Sequence, residues 1–212
     1  LTIFVITSSV EKRSFSTNYQ KWTSENRAGL FERLGYEEIP QLRTAFWIPK
    51  LGHPVEQGIL TKCLAIKTVT KYFLCASQYC IYYRTTGGLY WKVFTDFAPT
   101  FRLNGSSGHS SRETRITATK REYVKPLIAV LSSNLFWWWY TISSNLRDLN
   151  PCDIQNFPIA DKVLADPELC ELGKHYLEDI KRNSTMLVRE QQQTGRTETQ
   201  SFKIQKSKNI ID

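Results

Sequence analysis

The chain of 212 residues predicts a mixed α/β fold, and three observations carry that expectation. Ile81-Tyr82-Tyr83-Arg84 and Leu89-Tyr90-Trp91-Lys92-Val93-Phe94 are aromatic and β-branched runs flanking Thr85-Thr86-Gly87-Gly88, which is the composition of two strands joined by a turn. From Pro126 onward, Ile128, Leu131, Leu135, Trp138 and Ile142 recur at three- and four-residue steps, the period of an amphipathic helix. Asp166-Pro167 then opens a second helix whose apolar stripe is Leu169, Leu172, Tyr176, Leu177, Ile180 and Leu187. With 41% hydrophobic and 13% aromatic residues, a chain of this length can bury a core.

The elements follow in order. Leu1 to Thr7 is apolar at nearly every position, as a strand covered on both faces would be, and part of its sheet is expected to lie outside this chain. The segments Phe15 to Trp22 and Ala45 to Ile48 are polar stretches bearing aromatics. Pro54 opens a short helix through roughly Cys63. Next come the Tyr79 to Phe94 hairpin and a flexible loop, Asn104 to Ser111, rich in turn formers. In the long helix, Trp137, Trp138 and Trp139 are consecutive and cannot all enter one core, so a buried wedge and a base-stacking platform are both open readings. Asn150-Pro151 is an N-cap with first-turn proline, and the short helix it starts leads into a Phe157-Pro158-Ile159 strand. No repeat of fixed period is visible.

Charge and motifs narrow the function. Half of the formal charge of +8 falls between Arg102 and Lys125, where six basic residues stand against two acidic ones. From Asp161 to Glu190 five basic residues meet seven acidic ones. This asymmetry suits a polyanion-binding face, although a solvated loop would carry the same charges. No dinucleotide, phosphate-loop, serine-elbow or His-Glu-x-x-His signature occurs, and the pairs Glu37-Glu38 and Glu178-Asp179 read as solvated carboxylates. Five cysteines without CxxC spacing and three separated histidines read as reduced cytosolic thiols rather than a zinc site. No apolar stretch reaches membrane-spanning length, and the amino terminus does not read as a signal peptide. The expectation is a cytoplasmic protein that opens as though in mid-sequence.

Two blocks carry a family resemblance. Tyr82-Tyr83-Arg84-Thr85-Thr86-Gly87-Gly88-Leu89-Tyr90-Trp91-Lys92-Val93-Phe94 and Leu149-Asn150-Pro151-Cys152-Asp153-Ile154-Gln155-Asn156-Phe157-Pro158-Ile159, the latter after an apolar helix ending in Ser-Ser-Asn, resemble the target-recognition domain of Taq-type adenine-N6 DNA methyltransferases and type IIG restriction-modification enzymes. In that family a separate domain binds S-adenosylmethionine and carries Asn-Pro-Pro-Tyr, which is not found in these 212 residues. The resemblance therefore implies a chain without catalysis or cofactor of its own, with double-stranded DNA and a methyltransferase domain as its partners. It implies a remnant of the catalytic domain over 1–21, with Leu1 to Thr7 as its last strand. A single hairpin-rich target-recognition domain with a long buried aromatic helix spans 22–160, and a helical connector and linker covers 161–212.

The residues expected to touch DNA are Arg84, Thr85, Thr86, Trp91 and Lys92 on the hairpin, with Arg102, Arg112 and Arg115 around the loop. Ser144, Asn145 and Arg147 form a second patch, where phosphate contact and helix capping are both open. Phe15 and Tyr19 are further candidates to approach a flipped base. The alternative function is a protein-interaction module using the aromatic hairpin and the C-terminal helix.

Overall fold

The computed structural model describes residues 13–20, 23–39, 47–66, 69–74, 76–86, 93–202 and 210. The expected strand Leu1 to Thr7, the Gly87-Gly88 turn, and Trp91 and Lys92 lie outside them. The chain divides into two compact units, Leu1–Lys62 and Cys63–Asp212.

In the first unit, β1 (Phe15–Thr17) pairs antiparallel with β2 (Tyr36–Glu38). Helix α1 (Pro54–Leu64) begins at the expected proline. Ser16 Oγ accepts from Leu51 N at 3.0 Å, and Glu56 Oε2 accepts from Gly52 N at 2.8 Å, which ties β1 and the start of α1 to the intervening loop. Phe15 and Tyr19 are each 53% exposed.

The second unit joins helices to two antiparallel sheets. The first has the order β3 (Phe73–Leu74), β7 (Glu113–Ala118), β4 (Cys80–Arg84). The second has the order β6 (Ser106–Ser107), β5 (Phe101–Leu103), β9 (Gly195–Ser201), β8 (Thr185–Gln191). Mixed helix and sheet therefore holds as a fold class. Several finer expectations change. Tyr82 exchanges backbone hydrogen bonds with Thr95, at 2.8 and 3.0 Å, as an arm returning from a hairpin would, yet the long ladder partner of β4 is β7. The expected flexible loop from Asn104 starts instead as a two-residue turn between β5 and β6. Asn104 and Gly105 both take positive φ, 51° and 82°, the geometry that matches strand twist.

The single helix expected from Pro126 is two helices, α2 (Val124–Leu131) and α3 (Asn134–Ser143). Ser133 caps the second by accepting from Phe136 N at 3.3 Å, because a serine hydroxyl there satisfies a first-turn donor. The break resets the helical phase. Phe136, Trp139, Tyr140 and Ile142 face the core, while Leu135, placed in the stripe by the unbroken period, is 48% exposed. Trp139 packs edge-on to Phe157 at 5.9 Å, so the buried-wedge reading holds for this tryptophan and removes it as a stacking platform.

Helix α4 (Pro151–Gln155) follows the Asn150 cap, whose own N–H donates to Asp153 Oδ2 at 2.8 Å. Phe157, Pro158 and Ile159 are buried, with a single bridge residue at Pro158 in place of the expected strand. A short turn of helix, α5 (Asp161–Leu164), precedes α6 (Pro167–Arg182), which Asp166 caps by accepting from Glu168 N at 2.9 Å. Leu187 does not extend the stripe of α6, because the helix ends at Arg182 and Leu187 lies in β8. The expected helical appendage is thus helix followed by a β-hairpin whose strand β9 pairs with β5. Gly173 of α6 lies against α2 so closely that a Cβ would stand 2.3 Å from the Lys125 carbonyl oxygen.

Aromatic rings link these elements into one core. Tyr83 stacks on Phe94 at 5.6 Å, Phe94 meets Phe136 at 5.8 Å, and Phe136 meets Phe157 at 5.3 Å. Such contacts add to the stability that burial of the rings already provides.

Candidate nucleic-acid interface

The register of β4 on β7 decides which side chains share a face. Ile81 stands opposite Ile116 and Tyr83 opposite Thr114, and Ile81, Tyr83 and Ile116 are buried. The other face carries Cys80 opposite Thr117, Tyr82 opposite Arg115, and Arg84 opposite Glu113. Arg84 and Arg115 are therefore diagonal neighbours on one outward face, since directly opposed residues in an antiparallel pair point to the same side. Arg115 is exposed, with Nη1 3.9 Å from Cys80 Sγ. Arg84 is half-buried, with Nε and Nη1 out of solvent.

Past the end of β4 three segments meet. Thr85 donates to the Arg112 carbonyl from both its backbone N–H, at 2.9 Å, and its hydroxyl, at 3.1 Å. The Thr85 carbonyl accepts from Leu149 N at 2.6 Å. Arg112 and the 144–149 loop thus flank the strand end that carries Arg84, Thr85 and Thr86. In that loop Asn145 Oδ1 accepts from Arg147 N at 2.9 Å, and Leu146 takes the left-handed region at φ 61°. The turn projects Arg147, whose side chain is 86% exposed, with the neighbouring Asp148 carboxylate 3.8 Å away. The exposed guanidinium groups of Arg112, Arg115 and Arg147 are a set suited to phosphate oxygens.

Not every expected residue joins this set. Ser144 is 6% exposed, and its Oγ accepts from Leu146 N at 3.1 Å while its own N–H donates to the Tyr140 carbonyl at 3.0 Å. Ser144 closes α3 through its backbone N–H, while its buried hydroxyl serves the turn that follows the helix. Arg102 sits on the other sheet, where it approaches Glu198 Oε2 at 3.7 Å while Arg196 holds Glu198 Oε1 at 3.0 Å. Arg196 was not singled out in the sequence because it lay in the expected connector; only the β5–β9 register brings it beside Arg102.

Two buried tyrosines underlie the site. Burial, followed by the charges of Asp153 and Cys152, pushes the Tyr83 phenol well above its ordinary range, and its hydroxyl has no hydrogen-bond partner among the described residues. Tyr140 is pushed up to about 12 by burial, with a hydrogen bond to Ser144 acting the other way. Burial likewise raises the Cys63 thiol. The four described cysteines are free thiols, and no group of three or more metal-ligating side chains occurs among the described residues. No helix among them is long and apolar enough to cross a membrane. The apolar face of α6, including Tyr176, Leu177 and Ile180, is buried, and the helix packs against α2. Compared with known protein families, curated proteins and solved structures, the chain matches none of them.

Proposed function

We propose that this chain binds double-stranded DNA sequence-specifically, as the target-recognition region of an adenine-N6 DNA methyltransferase or type II restriction-modification enzyme. Catalysis, with S-adenosylmethionine, would reside in a part outside these 212 residues. The observation that carries the reading is the meeting of Arg84-Thr85-Thr86, Arg112 and the Arg147 loop through the hydrogen bonds on Thr85, with Arg115 on the adjoining strand face. Arginines from three separate segments give a cationic surface able to follow a phosphate backbone. The Thr86 hydroxyl at the same strand end supplies a group able to donate to or accept from base edges. Methylating a base requires taking it out of the stack, and a second module that grips the flanking duplex supplies the anchoring this needs.

The test is a duplex-binding titration over a salt series, comparing the parent with the triple variant Arg112→Ala, Arg115→Ala, Arg147→Ala. These three side chains are exposed, so the fold should survive. Binding should weaken, and the slope of log affinity against log salt should flatten by about 0.9 for each phosphate contact removed. Equal affinity of parent and variant at every salt concentration would refute the interface.

A further inference from the structure

In the turn from Ser144 to Leu149, Leu146 holds the left-handed region at φ 61°. Asn104 is the other residue besides glycine to do so among the described residues, and asparagine tolerates that region far better than a leucine does. A leucine stays there only where its surroundings impose it. Here three hydrogen bonds do so. Ser144 Oγ accepts from Leu146 N at 3.1 Å, Asn145 Oδ1 accepts from Arg147 N at 2.9 Å, and Leu149 N donates to the Thr85 carbonyl at 2.6 Å. Ser144 and Leu149, at 6% and 4% exposure, bury both ends of the turn. With those three N–H groups taken up inside the protein, the group the turn offers outward is the Arg147 side chain, 86% exposed. The Asp148 carboxylate stands 3.8 Å from its Nε, the end of the guanidinium nearer the backbone.

We propose that Asn145 and Leu146 are positioning residues, which hold this turn in one conformation and so present Arg147 to a DNA phosphate beside the Thr85-Thr86 strand end. The inference rests on the DNA-binding reading. Asn145, expected from the sequence to touch DNA itself, acts here through Arg147. An arginine on a loose loop gives up backbone and side-chain freedom together when it meets a phosphate, whereas one on a fixed turn gives up only side-chain freedom. Glycine at position 146 would remove the strain and release the turn, because it takes positive and negative φ about equally. Alanine at position 145 would remove the acceptor that holds Arg147 N.

Two measurements on the full chain test this, with Leu146→Gly and Asn145→Ala as variants. Asn145 is exposed, so its alanine variant should fold and keeps the test open should Leu146→Gly unfold. Limited trypsin digestion, with cut sites read by mass, reports the turn without DNA. Cleavage after Arg147 should be slow in the parent and several-fold faster in both variants. Duplex titration over a salt series reports the contact. Both variants should lose most of the affinity that Arg147→Ala loses, and their slope of log affinity against log salt should flatten by about 0.9, one phosphate contact. A general loosening of the fold would lower the binding-competent fraction and leave that slope unchanged. Adding Arg147→Ala to Leu146→Gly should weaken binding little further, because the two residues act as one unit. Cleavage at Arg147 as slow in the variants as in the parent, an unchanged salt slope, or additive losses in the double variant overturns the proposal while the DNA-binding reading stands. A parent that binds no duplex overturns both, whatever the digestion shows.

Discussion

Tyr83 shows how one atom sets a condition on the whole. Its ring is an anchor of the aromatic core, yet its hydroxyl is buried without a partner among the described residues. An unsatisfied buried hydroxyl costs its desolvation and returns nothing, so Tyr83→Phe should leave stability at neutral pH unchanged or raise it. The same burial governs pH dependence. Tyr83 and Tyr140 have folded-state values above the ordinary 10.0, Tyr140 at about 12. Below the unfolded value both states hold the proton and stability is flat. As pH rises through the interval from the unfolded to the folded value, the unfolded chain ionises first and stability falls. Urea midpoints measured at neutral pH and again above the tyrosine range should show this loss, with less of it in Tyr83→Phe. A Phe variant that is less stable at neutral pH would mean the hydroxyl does have a partner.

At the scale of elements, the Asn104-Gly105 turn carries more than its length suggests. Besides turning β5 into β6, Asn104 donates its N–H to the Arg196 carbonyl and accepts from Arg196 N, each at 2.8 Å, so one residue stitches two hairpins. A Cβ on Gly105 would meet nothing within 4 Å, so a substitution there acts through backbone conformation alone. Gly105→Val should cost about 1–2 kcal/mol, the penalty of holding an ordinary residue at positive φ, while Gly105→Asn should cost much less. Denaturant unfolding of the two variants would separate these effects, and equal losses would count against the turn geometry. The broken helix makes a similar point. A period read straight through Ser132-Ser133 places Leu135 in the core, but the cap at Ser133 restarts the phase and turns Phe136 inward instead.

On the scale of the larger unit, stability concentrates where rings from distant segments meet. Phe157 touches both Phe136 and Trp139 and is 1% exposed. Phe157→Ala should cost about 3–5 kcal/mol, whereas Leu135→Ala, at an exposed site, should stay within about 0.5 kcal/mol. Unfolding free energies of the two variants check this, and comparable losses would contradict the core assigned here. The same hub sits beneath the proposed interface, because Tyr83 and Arg84 are consecutive on β4 and face opposite sides. Core packing on one face therefore fixes where Arg84 and Arg115 stand on the other.

What the sequence determined by itself were the features governed by chemistry within a few residues. Pro54, Asn150-Pro151 and Asp166-Pro167 marked helix starts because caps and first-turn prolines act on the adjacent turn, and the strand at Ile81 to Arg84 was legible from its aromatic, β-branched run. The mixed helix-and-sheet class follows from these. Tertiary structure alone decided which strand β4 pairs with, that β9 joins β5, and that Thr85 binds Arg112 and Leu149, partners 27 and 64 positions away. Hydrogen-bond partners at such separations are chosen by the packing of whole layers, to which no local run of residues is sensitive. For that reason Arg112, Arg115 and Arg147 were readable as candidates one by one, and their assembly with Thr85 into a surface was not.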